Sequence, residues 1–431
     1  MANKISNEFL VPKSQAYFVF ILLFLLYVFD QADRYVITAL FPYLKAEWAL
    51  TDMQCGMLVS AVYWSLLIFV FPASLLIDRW SRKHAIGVMA ILWSVAAAAS
   101  AFTRNFTQLF ITRTAIGIGE AGYAPGGTAM ISGLFPEKRR SIFLGIWMAS
   151  VPVGAAAGVM LGGLIATQFG WRHAFGVLAV PGLILGLMFF FVKDYKTVKL
   201  VITEKAADKT PAQVKMKTRD IVKEFTSKPS LMLTYLAFAG NVFATVALLT
   251  WMPTFFQRIG GMSVTASTFN SGLIMLTALI GTPVGGFIAD RWYRKRKDAR
   301  LLFCAISTCV TAVFFFLAFQ LPPGPMQMAM LVLVGVTIAM YNPGGAAVTQ
   351  DVVHPGLRAI SYSICVVVQH ILGSTLGPIF VGAVSDAYNI QVALSILPLF
   401  ILASGIMFFI ASRFYEKDLD KVERIALQAE S

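Results

Sequence analysis

Asp78-Arg79-Trp80-Ser81-Arg82-Lys83 returns 212 residues later as Asp290-Arg291-Trp292-Tyr293-Arg294-Lys295. Three further segments return at offsets of 218 or 219. Tyr123-Ala-Pro-Gly-Gly127 becomes Tyr341-Asn-Pro-Gly-Gly345, Pro136-x-x-Arg139 becomes Pro355-x-x-Arg358, and Gly154-x-x-x-Gly158 becomes Gly373-x-x-x-Gly377. Four matches, in one order and at nearly one offset, divide a chain of 431 residues into two parallel halves.

The sequence around these repeats is apolar enough to lie in a membrane. Hydrophobic residues make up 58% and charged residues 13%, against roughly 25% charged in soluble domains. Mean hydropathy is +0.72. Apolar runs of bilayer length predict spans at 16–42, 52–77, 84–102, 107–135, 140–168 and 172–192. Six more follow at 230–257, 264–289, 300–319, 326–352, 358–386 and 390–413. The expected fold class is an all-α membrane protein of twelve transmembrane helices in two pseudo-symmetric six-helix bundles. The bundles take 1–192 and 230–413, with a basic cytoplasmic linker at 193–229 and a cytoplasmic tail at 414–431. The first span is too long, and too charged between Asp30 and Arg34, to be a cleaved signal.

A net charge of +13 invites a nucleic-acid reading, which its distribution argues against. With both termini cytoplasmic, 29 of the 35 Lys and Arg fall in cytoplasmic segments. Only Lys45, Arg104, Arg172 and Arg258 fall in outer loops. That asymmetry follows the positive-inside rule. The four cysteines lie in or near apolar spans without C-x-x-C or Cys/His spacing, so no metal site or disulfide framework is expected. No H-E-x-x-H, G-x-S-x-G or G-x-x-x-x-G-K-[ST] is present. The chain therefore does not read as an enzyme, and without an ATP site transport would run on a gradient. A channel would show a pore ring or filter-like loop, and none is visible.

Five charges interrupt the apolar spans: Asp30, Asp33, Arg34, Arg113 and Glu120. Each costs about 2.5–3.5 kcal/mol at mid-membrane unless paired or wet, and such residues mark ion, proton or substrate pathways. Three acids face two arginines, so full pairing leaves one acid over as a proton carrier. Asp30 and Arg34 are spaced i, i+4, with Asp33 close to the same stripe. Arg113, Gly117 and Glu120 share one face of the fourth span, with Gly117 making room between the charges. A dry site favours a neutral acid and a nearby Arg favours its anion. An Arg moving between partners would therefore switch a carboxyl between holding and releasing a proton. A fixed structural ion-pair network is the alternative.

The second half carries no such charges: Asp30 aligns with Asn241, Arg34 with Thr245, Arg113 with Leu331 and Glu120 with Ile338. Coupling is expected in the first half and substrate shaping in the second. Candidates for substrate contact there are Asn241, Trp251, Tyr341, Asn342, Tyr362, Gln369 and His370. Tyr63, Trp64 and Trp147 are candidates in the first half. Ordinary core or interfacial packing is the alternative for each.

The repeated loop resembles the G-x-x-x-D-R-x-G-R-R/K signal of the major facilitator superfamily. Here it reads Ser74-x-x-x-Asp78-Arg79-x-Ser81-Arg82-Lys83 and Gly286-x-x-x-Asp290-Arg291-x-Tyr293-Arg294-Lys295. The resemblance implies the major facilitator fold, with a cytoplasmic latch made by Asp78, Arg79, Arg82, Asp290, Arg291 and Arg294. Arg113-x-x-x-Gly117-x-Gly119-Glu120-Ala121-x-Tyr123 is similar to the helix 4 pattern of the Spinster-like group. Gln350-Asp-Val-Val-His-Pro-Gly-Leu-Arg358, Leu376-Gly-Pro378 and Ser385-Asp386 resemble further segments of that group. Its helix 1 pattern, N-Y-x-D-R, appears as Asp30-Gln31-Ala32-Asp33-Arg34, with Asp for Asn and Gln for Tyr. The helix 4 segment also resembles organic anion:cation symporters.

The resemblance implies a proton-coupled secondary active transporter working by alternating access, with the substrate between the halves. By the resemblance, proton coupling would fall to Asp33, Glu120 and Arg113; Asp30, on the same helix stripe, is a further coupling candidate from its own position, and Arg34 or Arg113 would hold an anionic group. A lysophospholipid-like or other amphipathic anion is the implied substrate. The alternatives are a small organic anion, such as a carboxylate or sugar acid, and efflux of a hydrophobic drug. The expected partners are substrate, protons and membrane lipids, with no nucleic acid. The proton gradient replaces any cofactor. A monomer in a bacterial inner membrane is expected.

Overall fold

The computed structural model describes residues 12–79, 81–192, 224–354 and 357–422, excluding the side chains of 74–79, 137, 138 and 359. Among these the regular structure is helical throughout. The helices of the first half are α1 (Lys13–Trp48), α2 (Asp52–Arg79), α3 (Arg82–Ser100) and α4 (Phe106–Glu120). They continue as α5 (Tyr123–Leu134), α6 (Glu137–Met148), α7 (Ser150–Phe169) and α8 (Trp171–Phe191). The second half holds α9 (Pro229–Arg258), α10 (Val264–Leu276), α11 (Ala278–Tyr293), α12 (Ala299–Gln320) and α13 (Pro325–Thr337). After these come α14 (Tyr341–Asp351), α15 (Arg358–Val368), a π-helical turn (Gln369–Ser374), α16 (Leu376–Ala387) and α17 (Ile390–Asp420).

Among the described residues, eleven helical stretches are long and apolar enough to cross a membrane. The span expected at 107–135 is broken instead into α4 and α5 at Ala121-Gly122. Pro125 supplies the reason: it has no N–H for the Ala121 carbonyl. Pro343 stands in the same relation to Ala339, and there α13 gives way to α14. The repeated Tyr-x-Pro-Gly-Gly thus marks one structural event in each half, a span restarted after a proline break.

Helices α1–α8 pack among themselves, as do α9–α17. The two groups meet mainly along α2 with α16 and along α7 with α10, with lighter contact of α1 with α9. The repeated Gly-x-x-x-Gly sets the packing within each group. A Cβ on Gly154 or Gly158 would strike the α1 carbonyls of Val28 and Ala32. One on Gly373 or Gly377 would strike those of Ala239 and Phe243 on α9. Such small faces let helix backbones approach closely.

Two boundaries differ from expectation. The linker residues 193–223 lie outside the described residues, yet Phe225 is buried against the second group. The buried Lys228 donates to Glu224 and to the Val352 carbonyl at 2.6 Å. At the other end α17 runs past 413 to Asp420. Its last turns are held because Asp418 accepts from the Ser230 backbone N–H (3.0 Å) and hydroxyl (2.7 Å), capping α9.

Candidate functional site

Packing of Val28 and Ala32 against α7 decides where the charges of α1 point. Residues two positions on are rotated by about 200° at 3.6 residues per turn. Asp30 and Arg34 therefore turn away from α7 and toward α4. There Arg34 Nη2 donates to Glu120 Oε2 at 2.6 Å and to Asp30 Oδ2 at 3.4 Å. The Arg34 guanidinium lies over the Tyr63 ring, 5.4 Å from its centroid. Tyr63 in turn stacks on His370 of the opposite half at 5.7 Å. His370 sits in the π turn, its Nδ1 3.2 Å from the Ser374 hydroxyl. Such turns are frequent at functional sites. Arg34 keeps 13% of its side chain exposed, while the carboxylates of Asp30 and Glu120 are enclosed.

Arg113 does not pair with an acid. Its side chain is fully buried and donates to three main-chain carbonyls: Asp33 (2.8 Å), Arg34 (2.8 Å) and Leu58 (3.4 Å). The first two carbonyls lie within α1, whose helix bonds occupy only one of each oxygen's two lone pairs. Arg113 thereby clamps α4 to α1 and α2. Asp33 lends its main-chain carbonyl to this clamp, yet neither of its buried carboxylate oxygens has a hydrogen-bond partner among the described residues. Asp30 Oδ1, Glu120 Oε1 and Arg34 Nε are likewise buried without a partner among the described residues. Gly117 does not separate the charges. A Cβ there would meet Ser65 Oγ and the Val62 carbonyl, so this glycine lets α4 lie against α2.

The five charges thus converge, and Tyr63 and His370 join them. Other sequence candidates do not. Trp147 is fully buried, stacks on Tyr27 at 4.7 Å and donates to the Leu23 carbonyl at 3.4 Å. Asn241 is buried and bonds its own helix at the Ala237 carbonyl. Trp251 is buried across the seam of the halves, on Phe41 (5.1 Å) and bonded to the Pro378 carbonyl (3.0 Å). Tyr341 packs on Phe238 and Phe408. Asn342 and Tyr362 are exposed, and Gln369 donates to Cys365 Sγ at 3.2 Å. Trp64 packs edge-on against Phe110.

The side chains of Asp78 and Arg79 lie outside the described residues. Arg82 reaches the Ala129 carbonyl at 3.5 Å. Asp290 accepts from Arg300 at 2.9 Å, and Arg300 also holds Asp351 at 2.6 Å. Tyr415 donates to the same Asp351. This network ties α11, α12, α14 and α17 within the second half. Arg291 and Arg294 stand exposed.

A second charged cluster escaped the sequence reading. Asp52 opens α2 and takes both Nη groups of Arg258, at 2.6 and 2.7 Å. It also accepts from Lys45 and from the Ser385 hydroxyl (2.6 Å). Asp386, on the opposite half, accepts from the backbone N–H groups of Asp52 (2.7 Å) and Met53 (2.8 Å), satisfying free donors of the first turn of α2. Further along the seam Ser60 donates to the Thr375 carbonyl at 2.7 Å. Lys45 and Arg258 counted in the sequence only as outer-loop cations. An acid at the first position of an apolar span was the available signal.

Comparison with known proteins agrees with this architecture. The family profile described as Major Facilitator Superfamily matches residues 23–372. A sphingosine-1-phosphate transporter of Mus musculus is 26% identical over 92% of this chain and 77% of its own length. A hexuronate transporter of Bacillus subtilis (strain 168) is 27% identical over 69% of each chain. The crystal structure of a bacterial homolog to the human lysosomal transporter Spinster, inward-facing and unoccupied, superposes with a TM-score of 0.82. It is 21% identical and covers 95% of this chain and 99% of that one.

Proposed function

The chain belongs to the Major Facilitator Superfamily, and from that membership and the geometry of its charges we propose a proton-coupled secondary active transporter of an amphipathic anion. One observation carries the reading. Arg34 is the partly exposed cation of the site, it shares one nitrogen between two acids, and it faces the opposite half through Tyr63 and His370.

An anion of carboxylate or phosphate type suits the guanidinium fork. To receive it, Arg34 must loosen from Glu120 and Asp30, and protonation of those acids would free it. Asp33 is the acid without a donor, and an unpaired ionised carboxylate in a dry site is costly. Asp33, Asp30 and Glu120 are therefore the proposed proton carriers, and Arg113 the clamp that fixes Asp33 and Arg34 in register. The hydrogen bonds and ring contacts named between the halves run from Asp52 to His370. That supports a state sealed at the Asp52 end, with the site reached from the linker end. By the positive-inside rule the linker end is proposed as cytoplasmic, in a bacterial inner membrane.

A lysophospholipid-like substrate is supported by the Spinster likeness and by the sphingosine-1-phosphate relative. The hexuronate relative supports a second reading, a small sugar acid held by the same Arg34. Uptake by purified protein in liposomes, with a pH gradient imposed or collapsed, tests both. Gradient-driven accumulation of a labelled lysophospholipid supports the first, and accumulation of a hexuronate alone supports the second. Anion movement indifferent to the proton gradient refutes coupling.

A further inference from the structure

Sequence counting pairs two arginines with two acids and leaves one acid over. The folded site divides them otherwise. Arg113 directs its N–H groups to carbonyl oxygens on two helices. Arg34 alone bonds carboxylates, and it offers the same Nη2 to Glu120 and Asp30. Asp33 has no donor at all among the described residues. Two carboxyl positions are thus short of a full partner: Asp33, and one member of the Asp30–Glu120 pair.

Charge balance says what fills them. Fully ionised, three carboxylates and two guanidiniums sum to −1, which repels an anion. One proton brings the site to zero. Two bring it to +1, the value a monovalent anion neutralises, and enclosed sites tolerate unbalanced charge poorly. One proton belongs on Asp33, whose oxygens have no donor. The other belongs between Asp30 and Glu120, two carboxylates that repel across a single shared nitrogen. The other titratable groups around the cluster are Tyr27 and Tyr35 on α1, Tyr63 on α2, Tyr123 on α5, Tyr362 on α15 and His370 in the π turn. None of them is a carboxyl.

We infer that this site moves two protons for each monovalent anion, and that Asp30 is the residue that sets the count at two. The inference rests on the proton-coupled reading above. Both protons enter from one side and leave to the other with no further reactant. Asp30→Asn leaves Glu120 as an undivided partner of Arg34 and removes one carrier.

Two measurements on the full chain test it. In liposomes, with the membrane potential clamped at zero, the anion gradient that stops net flux is found at several pH gradients. The probes are lysophosphatidylglycerol and D-glucuronate, each a monoanion. The wild-type balance point should follow the square of the proton gradient, and that of Asp30→Asn the first power. A first-power wild type, or an Asp30→Asn variant that keeps the square, overturns the inference while leaving coupling intact. A balance point independent of pH overturns both readings. The second measurement needs no substrate: infrared carbonyl-stretch bands of protonated carboxyls at neutral pH. Two bands are expected, one lost in Asp33→Asn and the other in Asp30→Asn. A single band overturns the inference.

Discussion

Arg258 holds Asp52 by its two terminal nitrogens, Nη1 and Nη2, at 2.6 and 2.7 Å, and so ties the last turn of α9 to the first turn of α2 across the two halves. Asp386 adds a second tie by capping that same turn. Arg258→Met leaves Asp52 buried with Lys45 and Ser385 but without its fork, a loss of roughly 1.5–3 kcal/mol per charge-assisted bond before solvent exposure of Arg258 discounts it. Hydrogen exchange at the amides of Asp52 and Met53 should then quicken several-fold. Unaltered protection there would show that the seal does not depend on the fork.

Arg113→Lys should damage the fold more than a conservative change suggests. One ammonium cannot reach carbonyl oxygens on both α1 and α2 as the planar guanidinium does. Each bond lost costs about 1.5–3 kcal/mol. A clear drop in thermal midpoint in detergent is the expected result; an unshifted midpoint would show the clamp to be dispensable.

Glu120→Gln removes the carboxylate that Arg34 meets at 2.6 Å. Uphill accumulation should weaken toward the first power of the proton gradient, because Asp33 remains as a carrier, while exchange of substrate down its gradient persists and the protein stays folded. Undiminished uphill transport would take Glu120 out of the coupling machinery.

Tyr63→Leu removes the ring between Arg34 and His370. A cation–π contact of this kind is worth roughly 0.5–2 kcal/mol. KM should rise between about 2-fold and 30-fold on that range, with a smaller effect on turnover. A change confined to kcat would assign Tyr63 to the conformational step instead.

Asp290 and Asp351 share Arg300 but not its energetics. The Asp290 side chain is 66% exposed and should contribute under about 1 kcal/mol, whereas Asp351 is 27% exposed and also takes Tyr415. Thermal unfolding should therefore rank Asp351→Asn as more destabilising than Asp290→Asn. The reverse order would place the repeated Asp in a role beyond this network.

Much of the architecture was legible because membrane helices announce themselves one at a time. Length and hydropathy mark each span, repeats at nearly constant offset reveal the duplication, and cations confined to certain loops propose the orientation. The prolines of the breaks, Pro125 and Pro343, were visible too, but only as members of a repeated Tyr-x-Pro-Gly-Gly segment. The site was legible in part. Charges in apolar spans are few, so Asp30, Asp33, Arg34, Arg113 and Glu120 stood out, and i, i+4 spacing grouped them by face. Trp147, Asn241, Trp251 and Tyr341 could not be ranked from the sequence, because polar or aromatic character is equally consistent with a cavity wall and a satisfied core; the structure places them buried with partners of their own.

The sequence by itself determined which residues carry charge into the membrane and that the chain is built twice. Only the tertiary structure decided their partners. Arg113 binds carbonyls rather than acids because Gly117 brings α4 against α2, and because Gly154 and Gly158 turn α1 so that Asp30 and Arg34 meet Glu120. Those distances belong to three helices at once. No periodicity within one helix contains them, and neither does it contain the meeting of Asp52 with Arg258 and Asp386 from the other half of the chain.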